Sequence, residues 1–323
     1  MSWPRALAPY SEPRLGRSIL DIATSVVPYV GLLVAIGFAS KISVLLALAL
    51  AVPAAGFQIR SFIVFHDCGH ASFFRSRRAN ELLGAVLGLL VWLPFRCWRH
   101  EHAVHHATSG DLDRRGVGDI WTLTVDEYRA RGMWGRLGYR LFRNPFVMFG
   151  LGWILVLGLK PRVFPRSATR RIRNSILLTD LALAIAVVTL VWLLGWQTFL
   201  LLQVPTMIMG AAGIWLFYVQ HQFEDSVWQP GDTWSYDEAA LHGSSYLKLP
   251  AILQFFTGNI GFHHVHHLSA RIPNYNLQMA HEGTSTLSAI PPVTMRDGFR
   301  SVRLKLWDEQ RKRLVTFREA RSI

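Results

Sequence analysis

Residues 42–74 read ISVLLALALAVPAAGFQIRSFIVFHDCGHASFF, and the reading of this stretch decides the fold. Its first part, Ile42–Phe65, is apolar almost without interruption and, as a helix, is long enough to cross roughly 30 Å of hydrocarbon. It then gives way to His66-Asp-Cys-Gly-His70, where two imidazoles stand four residues apart. An apolar span that ends in two metal-binding side chains predicts a membrane protein with its chemistry at the bilayer surface.

Outward from this stretch, Ile22–Ser40, Ile176–Trp192 and Gln197–Val219 are three further apolar runs of spanning length. A soluble core of the same size would show apolar residues at helical or alternating spacing, with a polar face between them. Leu82–Phe95 and Phe146–Leu159 are also apolar, but at about 14 residues each they are too short to span and predict helices lying in the interface. If one of them crossed, the histidine clusters below would fall on opposite faces. We therefore expect an all-α integral membrane four-helix bundle, built as two hairpins under a cytosolic helical cap, with residues 1–323 forming one domain. Pro28, Pro53 and Pro205 fall inside spans, where neighbouring helices can satisfy the freed carbonyls. Phe65–Ser175 and His221–Ile323 make the cap. Tyr236–Glu238 and Arg296–Arg313 read as solvated surface, and Arg311–Ile323 as a charged terminal helix without chemistry.

A formal charge of +13 could suggest a nucleic-acid partner, but much of the arginine lies in Arg75–Arg173, between the second and third spans. That placement is the excess of basic residues expected on the cytoplasmic side of a membrane, facing anionic headgroups. No nucleic-acid role is expected. Cys68 and Cys97 are the only cysteines, so no disulfide framework exists. Met1–Gly16 carries scattered Arg and Pro, and the first apolar run is read as a retained helix.

The chain has 13 histidines, and their grouping carries the signal. His66 and His70 stand at i and i+4; His102, His105 and His106 at i, i+3 and i+4; His263, His266 and His267 repeat that pattern; His221 is alone beyond the fourth span. On a helix the i, i+3 and i+4 positions share a face, so two such side chains can bind one ion. His105 and His106 diverge by about 100°, as do His266 and His267, so each neighbouring pair can serve two ions. Nine imidazoles exceed the needs of one octahedral ion and suit two. Imidazole accepts Zn, Cu, Fe or Ni, so ligand type does not choose among them, although a structural zinc site would use four ligands and include thiolate. Cys68 is read as a small packed residue. His100, His242 and His281 fall outside the pattern, and His264 is rotated away from His263. Ligating imidazoles usually donate their second N–H to a carboxylate or carbonyl; Asp67, Asp113, Asp119, Glu224 and Asp225 are near enough in sequence to do so. No catalytic side chain beyond the ligands is expected.

The strings HDCGHASFF (His66–Phe74), WRHEHAVHH (Trp98–His106), DLDRRGVGDIWTLTVDEY (Asp111–Tyr128), HQFED (His221–Asp225) and TGNIGFHHVHHLSARIPNYNL (Thr257–Leu277) resemble the membrane fatty acid desaturases, and more closely the acyl-lipid Δ12/ω-6 group. The likeness covers about Phe57 to His281. It implies two iron ions facing the cytosol of, most simply, a bacterial inner membrane, O2 as co-substrate, and a cis double bond placed in a lipid-borne acyl chain. It implies His66, His70, His102, His105, His106, His221, His263, His266 and His267 as ligands. Asp67, Asn259 and Glu224 are the candidates for supporting them. It also implies an external electron carrier, expected as a separate ferredoxin-like protein on the basic face. Some relatives of other substrate class carry an Asn four residues before the lone histidine; here Phe217 stands there, and that role is not carried over. Gln58 and Arg60 lie within the second span, where Arg60 is read as snorkelling toward the cytosolic interface.

Related proteins with the same histidine logic hydroxylate or otherwise oxygenate acyl chains and hydrocarbons, which makes a di-iron hydroxylase or oxygenase the alternative. A metal transporter would need polar groups partway through its spans. Among charged and amide residues, the interiors of the other three runs hold only Asp180 and Gln203.

Overall fold

A computed structural model describes residues 3–322. In chain order its main helices are α1 (Leu15–Ala39), α2 (Val44–Gly69), α3 (Arg77–Leu90), α4 (Phe95–Thr108), α5 (Met133–Phe142), α6 (Arg170–Leu194), α7 (Trp196–His221), α8 (Tyr236–His242), α9 (Ala251–Phe256) and α10 (His263–Leu268). Four of them, α1, α2, α6 and α7, are long and apolar enough to cross a membrane. They form two hairpins. Ser43 caps α2 by accepting from the Leu46 N–H, and Thr169 caps α6 by accepting from the Ile172 N–H. Gly195, at φ +81°, turns the chain between α6 and α7 through a conformation that glycine adopts without strain.

The hairpins meet through small residues. Ala47, Ala51 and Ala54 line one face of α2 and pack with Tyr29, Ile36, Ala39 and Leu202 from α1 and α7. Such a stripe lets helix backbones approach closely where lipid tails give no hydrophobic drive to pack. The outward faces are the reverse. Leu178, Val188 and Trp192 on α6 are 67%, 68% and 81% exposed, a continuous apolar surface that only hydrocarbon solvates well.

Each long helix outruns its apolar run. α1 starts at Leu15, ahead of Ile22, and α2 continues through Asp67 to Gly69. Hydropathy marks contact with hydrocarbon, whereas a helix persists while its polar side chains find partners inside the protein, as the buried Asp21 and Asp67 do. The Leu82–Phe95 stretch, expected as one in-plane helix, is instead broken: α3 and α4 meet at 103° across Val91–Pro94, where Trp92 takes φ +64°. Phe146–Arg162 bends 60° away from α5 and is wound as π-helix over Phe146–Leu151 and Ile154–Leu159. It lies on α7, with Trp153 against Gly210 and Ile214 against Gly152.

The C-terminal part departs from the reading of Arg296–Arg313 as surface and Arg311–Ile323 as a charged helix. A three-stranded sheet joins β1 (Leu123–Thr124) in parallel to β2 (Leu306–Asp308), which pairs antiparallel with β3 (Arg313–Val315). Trp307, Leu314 and Val315 are fully buried. The basic residues Arg311 and Lys312 occupy the exposed turn, and they masked the short apolar pairs Leu306–Trp307 and Leu314–Val315 on either side of it. Only Glu319–Ser322 is helical, and Ile323 lies outside the described residues.

Candidate metal centre

Four elements deliver histidines to one place. The last turn of α2 carries His66, and His70 is the residue that caps its end. His102, His105 and His106 project from α4, His221 is the final residue of α7, and His263, His266 and His267 come from the single turn-and-a-half of α10. Their ring nitrogens sort into two groups, His66, His70, His102, His106 and His266 in one and His105, His221, His263 and His267 in the other, each with its ligand atoms within 4.8 Å of one another. The two adjacent pairs divide as a helix requires: His105 and His267 face one group, His106 and His266 the other. Nitrogens held by one ion at about 2.1 Å each stand at most about 4.2 Å apart, so either group closes on an ion with small movements.

Proton bookkeeping shows that the groups suit cations. His105 Nδ1 donates to Asp119 Oδ1 (2.5 Å), and His221 Nδ1 donates to the Gly243 carbonyl (3.2 Å). With both rings neutral, each Nε2 carries a lone pair, yet the two stand 3.2 Å apart, with His263 Nε2 3.0 Å from His221 Nε2. Two facing lone pairs repel, and a cation between them removes the conflict. In the other group His106 Nε2 lies 3.2 Å from His102 Nε2 and 3.0 Å from His266 Nε2. His70 Nε2 and His267 Nε2, one in each group, are buried without a hydrogen-bond partner. The donor set is nitrogen only, the chemistry that borderline first-row metals accept.

Burial, and secondarily the neighbouring imidazoles, hold His70, His102, His106, His263, His266 and His267 well below the ordinary histidine pKa near 6.5. They are neutral at pH 7, the form that binds metal. Aromatic side chains close the site. Trp98 stacks on His102 (centroids 4.4 Å apart, planes 20°), and its ring fills the space beside Gly69, where an added Cβ would sit 2.7 Å from the indole. Phe217 packs on His105 and His221 at 5.1 and 5.2 Å.

The other singled-out residues separate clearly. Asp67 Oδ1 accepts from His66 Nδ1 at 3.1 Å. Asp119 is delivered by Gly118, at φ +74°, where a Cβ would come within 2.9 Å of both the Glu101 carbonyl and His105 Cβ. Asn259 lies one step out, donating to the Asn274 carbonyl (3.2 Å) and accepting from Gln254. Glu224 and Asp225 are exposed, and Asp113 accepts from the Gly231 N–H instead of a ligand histidine. His264 pairs with His281 (3.1 Å), away from both groups. His100 meets Ser167, and His242 lies 3.8 Å from Glu238. Cys68 is packed in the apolar core. Arg60 pairs with Asp21 on α1 and donates to the Phe255 carbonyl of α9. Sequence reasoning passed over Asn274, which donates to Asp67 from both its backbone N–H and its side chain; the only trace was its place in the IPNYNL string.

Comparison with known proteins follows the same residues. The family profile described as Fatty acid desaturase matches residues 42–294. A Bacillus subtilis protein named fatty acid desaturase is 46% identical over 320 residues, covering 99% of this chain and 91% of its own length. The sn-1 oleoyl-lipid 12-desaturase of a Synechocystis strain is 31% identical over 224 residues, 68% of this chain and 63% of its own length. An sn-1 acyl-lipid omega-3 desaturase (ferredoxin) from the same source is 26% identical over 250 residues, 72% of this chain and 64% of its own.

Proposed function

The chain belongs to the fatty acid desaturase family, a family of oxidoreductases, and from that premise we propose that it uses O2 and two iron ions to place a cis double bond in an acyl chain carried by a membrane lipid. The observation that carries this reading is the sorting of nine histidines into two adjoining groups, five and four, at one end of the apolar helices. In this reading each group would hold one iron, and the pair would activate O2, the oxidant, to break an unactivated C–H bond, which no side-chain acid or base can do.

The chain's own residues do the rest. Asp67 and Asp119 keep the Nδ1 protons of His66 and His105, so that each Nε2 is presented as a lone pair in a fixed orientation. The Gly243 carbonyl does the same for His221. Trp98 and Phe217 line the groups with hydrocarbon and keep bulk water from the reacting carbons. The apolar faces of α1 and α6 keep the molecule in the lipid that carries its substrate. The site then lies on the cytoplasmic side of a bacterial inner membrane, the side on which the arginines of Arg75–Arg173 gather. Reducing equivalents come from a separate acidic, ferredoxin-like carrier. The exposed Arg77, Arg78, Arg170 and Arg171 suit such a partner, and one relative's name includes ferredoxin.

Expression in a host that lacks the activity, followed by analysis of its membrane lipids, tests the proposal. A new double bond without added oxygen is expected. A hydroxylated acyl chain in its place would sink the desaturase reading and favour an oxygenase.

A further inference from the structure

Asp21 and Arg60 form a partly buried ion pair within the long apolar helices, six residues into α1 and nine residues before the end of α2. Charges in such a place are costly and usually tied to function. The pair does not end there. Asp21 Oδ2 accepts from Asn274 Nδ2 (2.8 Å), and the same amide nitrogen donates to Asp67 Oδ2 (3.0 Å). The Asn274 backbone N–H adds a second donor to that oxygen (2.7 Å), and Asp67 Oδ1 takes the Nδ1 proton of His66 (3.1 Å). Both neighbours of Asn274 Nδ2 are carboxylate oxygens, so this atom can only be the NH2 group, with one hydrogen for each. Asp21, Asp67 and Asn274 are 4%, 2% and 1% exposed.

We propose that Asn274 and Asp21 are positioning residues for one half of the metal centre: through Asp67 they hold His66 in the five-histidine group. The inference rests on the proposed function and adds to it a specific asymmetry. Asn274 is the joint, because its one amide nitrogen donates a hydrogen to each of the two carboxylates. Arg60 balances Asp21, so the run Arg60–Asp21–Asn274–Asp67–His66 alternates donor and acceptor to its end, with every proton assigned. Outer partners of this kind change metal affinity by about 10- to 100-fold when removed. Nothing in the chain of contacts touches the four-histidine group.

The test measures iron(II) held per chain by the purified, full-length protein under anoxia, against graded concentrations of a chelator. Asn274→Ala should release one of two ions at about tenfold lower chelator than the wild type, with the second ion unmoved. Asp21→Asn, which keeps the side chain's shape, should do the same to a smaller degree. In His66→Ala, the ligand through which the relay acts is gone, so adding Asn274→Ala should change nothing further. Wild-type-like release in both single variants overturns the relay, as does equal loosening of both ions or a loss added on top of His66→Ala. A wild-type chain that holds no ions overturns the proposed function and the relay together, and that control separates the two failures.

Discussion

The five-histidine and four-histidine groups share α4 and α10, yet they are braced from opposite directions. His66 is tied through Asp67 and Asn274 to the Asp21–Arg60 pair among the spanning helices. His105 is tied to Asp119 on a loop of the cap, and His221 to the Gly243 carbonyl and, at 3.4 Å, the Ser109 hydroxyl. Just behind His221, Gln222 accepts from the buried Arg143, whose own carbonyl takes the ammonium of Lys305. The outermost braces of one half thus reach into the membrane helices, through Asp21 and Arg60, and those of the other into the cap, through Asp119 and Gly243. Damage to either scaffold should show first in its own half.

The largest effects should come from neighbouring residues that serve different halves. His105→Ala and His106→Ala are each expected to bring desaturation below detection in lipid profiles. Metal analysis should find a different ion weakened in each, and loss of the same ion from both would break the division. Asp119→Asn acts one step further out, on the cap side. It should weaken the ion of the four-histidine group by about 10- to 100-fold and leave the other in place, the mirror of Asn274→Ala. Gly118→Ala reaches the same aspartate through the backbone. The left-handed φ alone costs about 1–2 kcal/mol, and the contacts at 2.9 Å add to it. A lower Tm with loosening confined to the four-histidine group is expected, and unchanged melting would remove the argument.

A further effect concerns pH and the cap scaffold. Burial, with the nearby Arg143 second, lowers Lys305 to about 7 from an ordinary 10.5. Between those values the unfolded chain binds a proton that the folded chain has released, so stability rises with pH across that window. The gain is absent below about 7 and complete above about 10.5. Lys305→Met should flatten this part of the curve. Thermal unfolding in detergent at about pH 7 and about pH 9.5 reads it, and an identical slope in the variant would show that another group governs the window.

What was legible in the sequence follows from range. Apolar runs and the i, i+3, i+4 histidines are local patterns, and they mark the four long apolar helices and eight of the nine gathered imidazoles, whereas the lone His221 has no spacing partner. The break at Val91–Pro94 was hidden because an unbroken apolar run looks alike whether it stays straight or turns by 103°. The β2–β3 pairing was hidden by the basic turn at Arg311–Lys312, which gave the tail the look of a solvated helix.

By itself, the order of residues determined that this chain carries helices of membrane-spanning length and that neighbouring histidines face different ways, since hydrocarbon length and helical rotation are properties of a single segment. Only the tertiary structure decided which imidazoles share a group and what steadies each one. Asn274 meets Asp67 and Asp21 across 207 and 253 residues of chain. A hydrogen bond depends on the distance between atoms, which helix packing sets and which no local pattern of residues encodes.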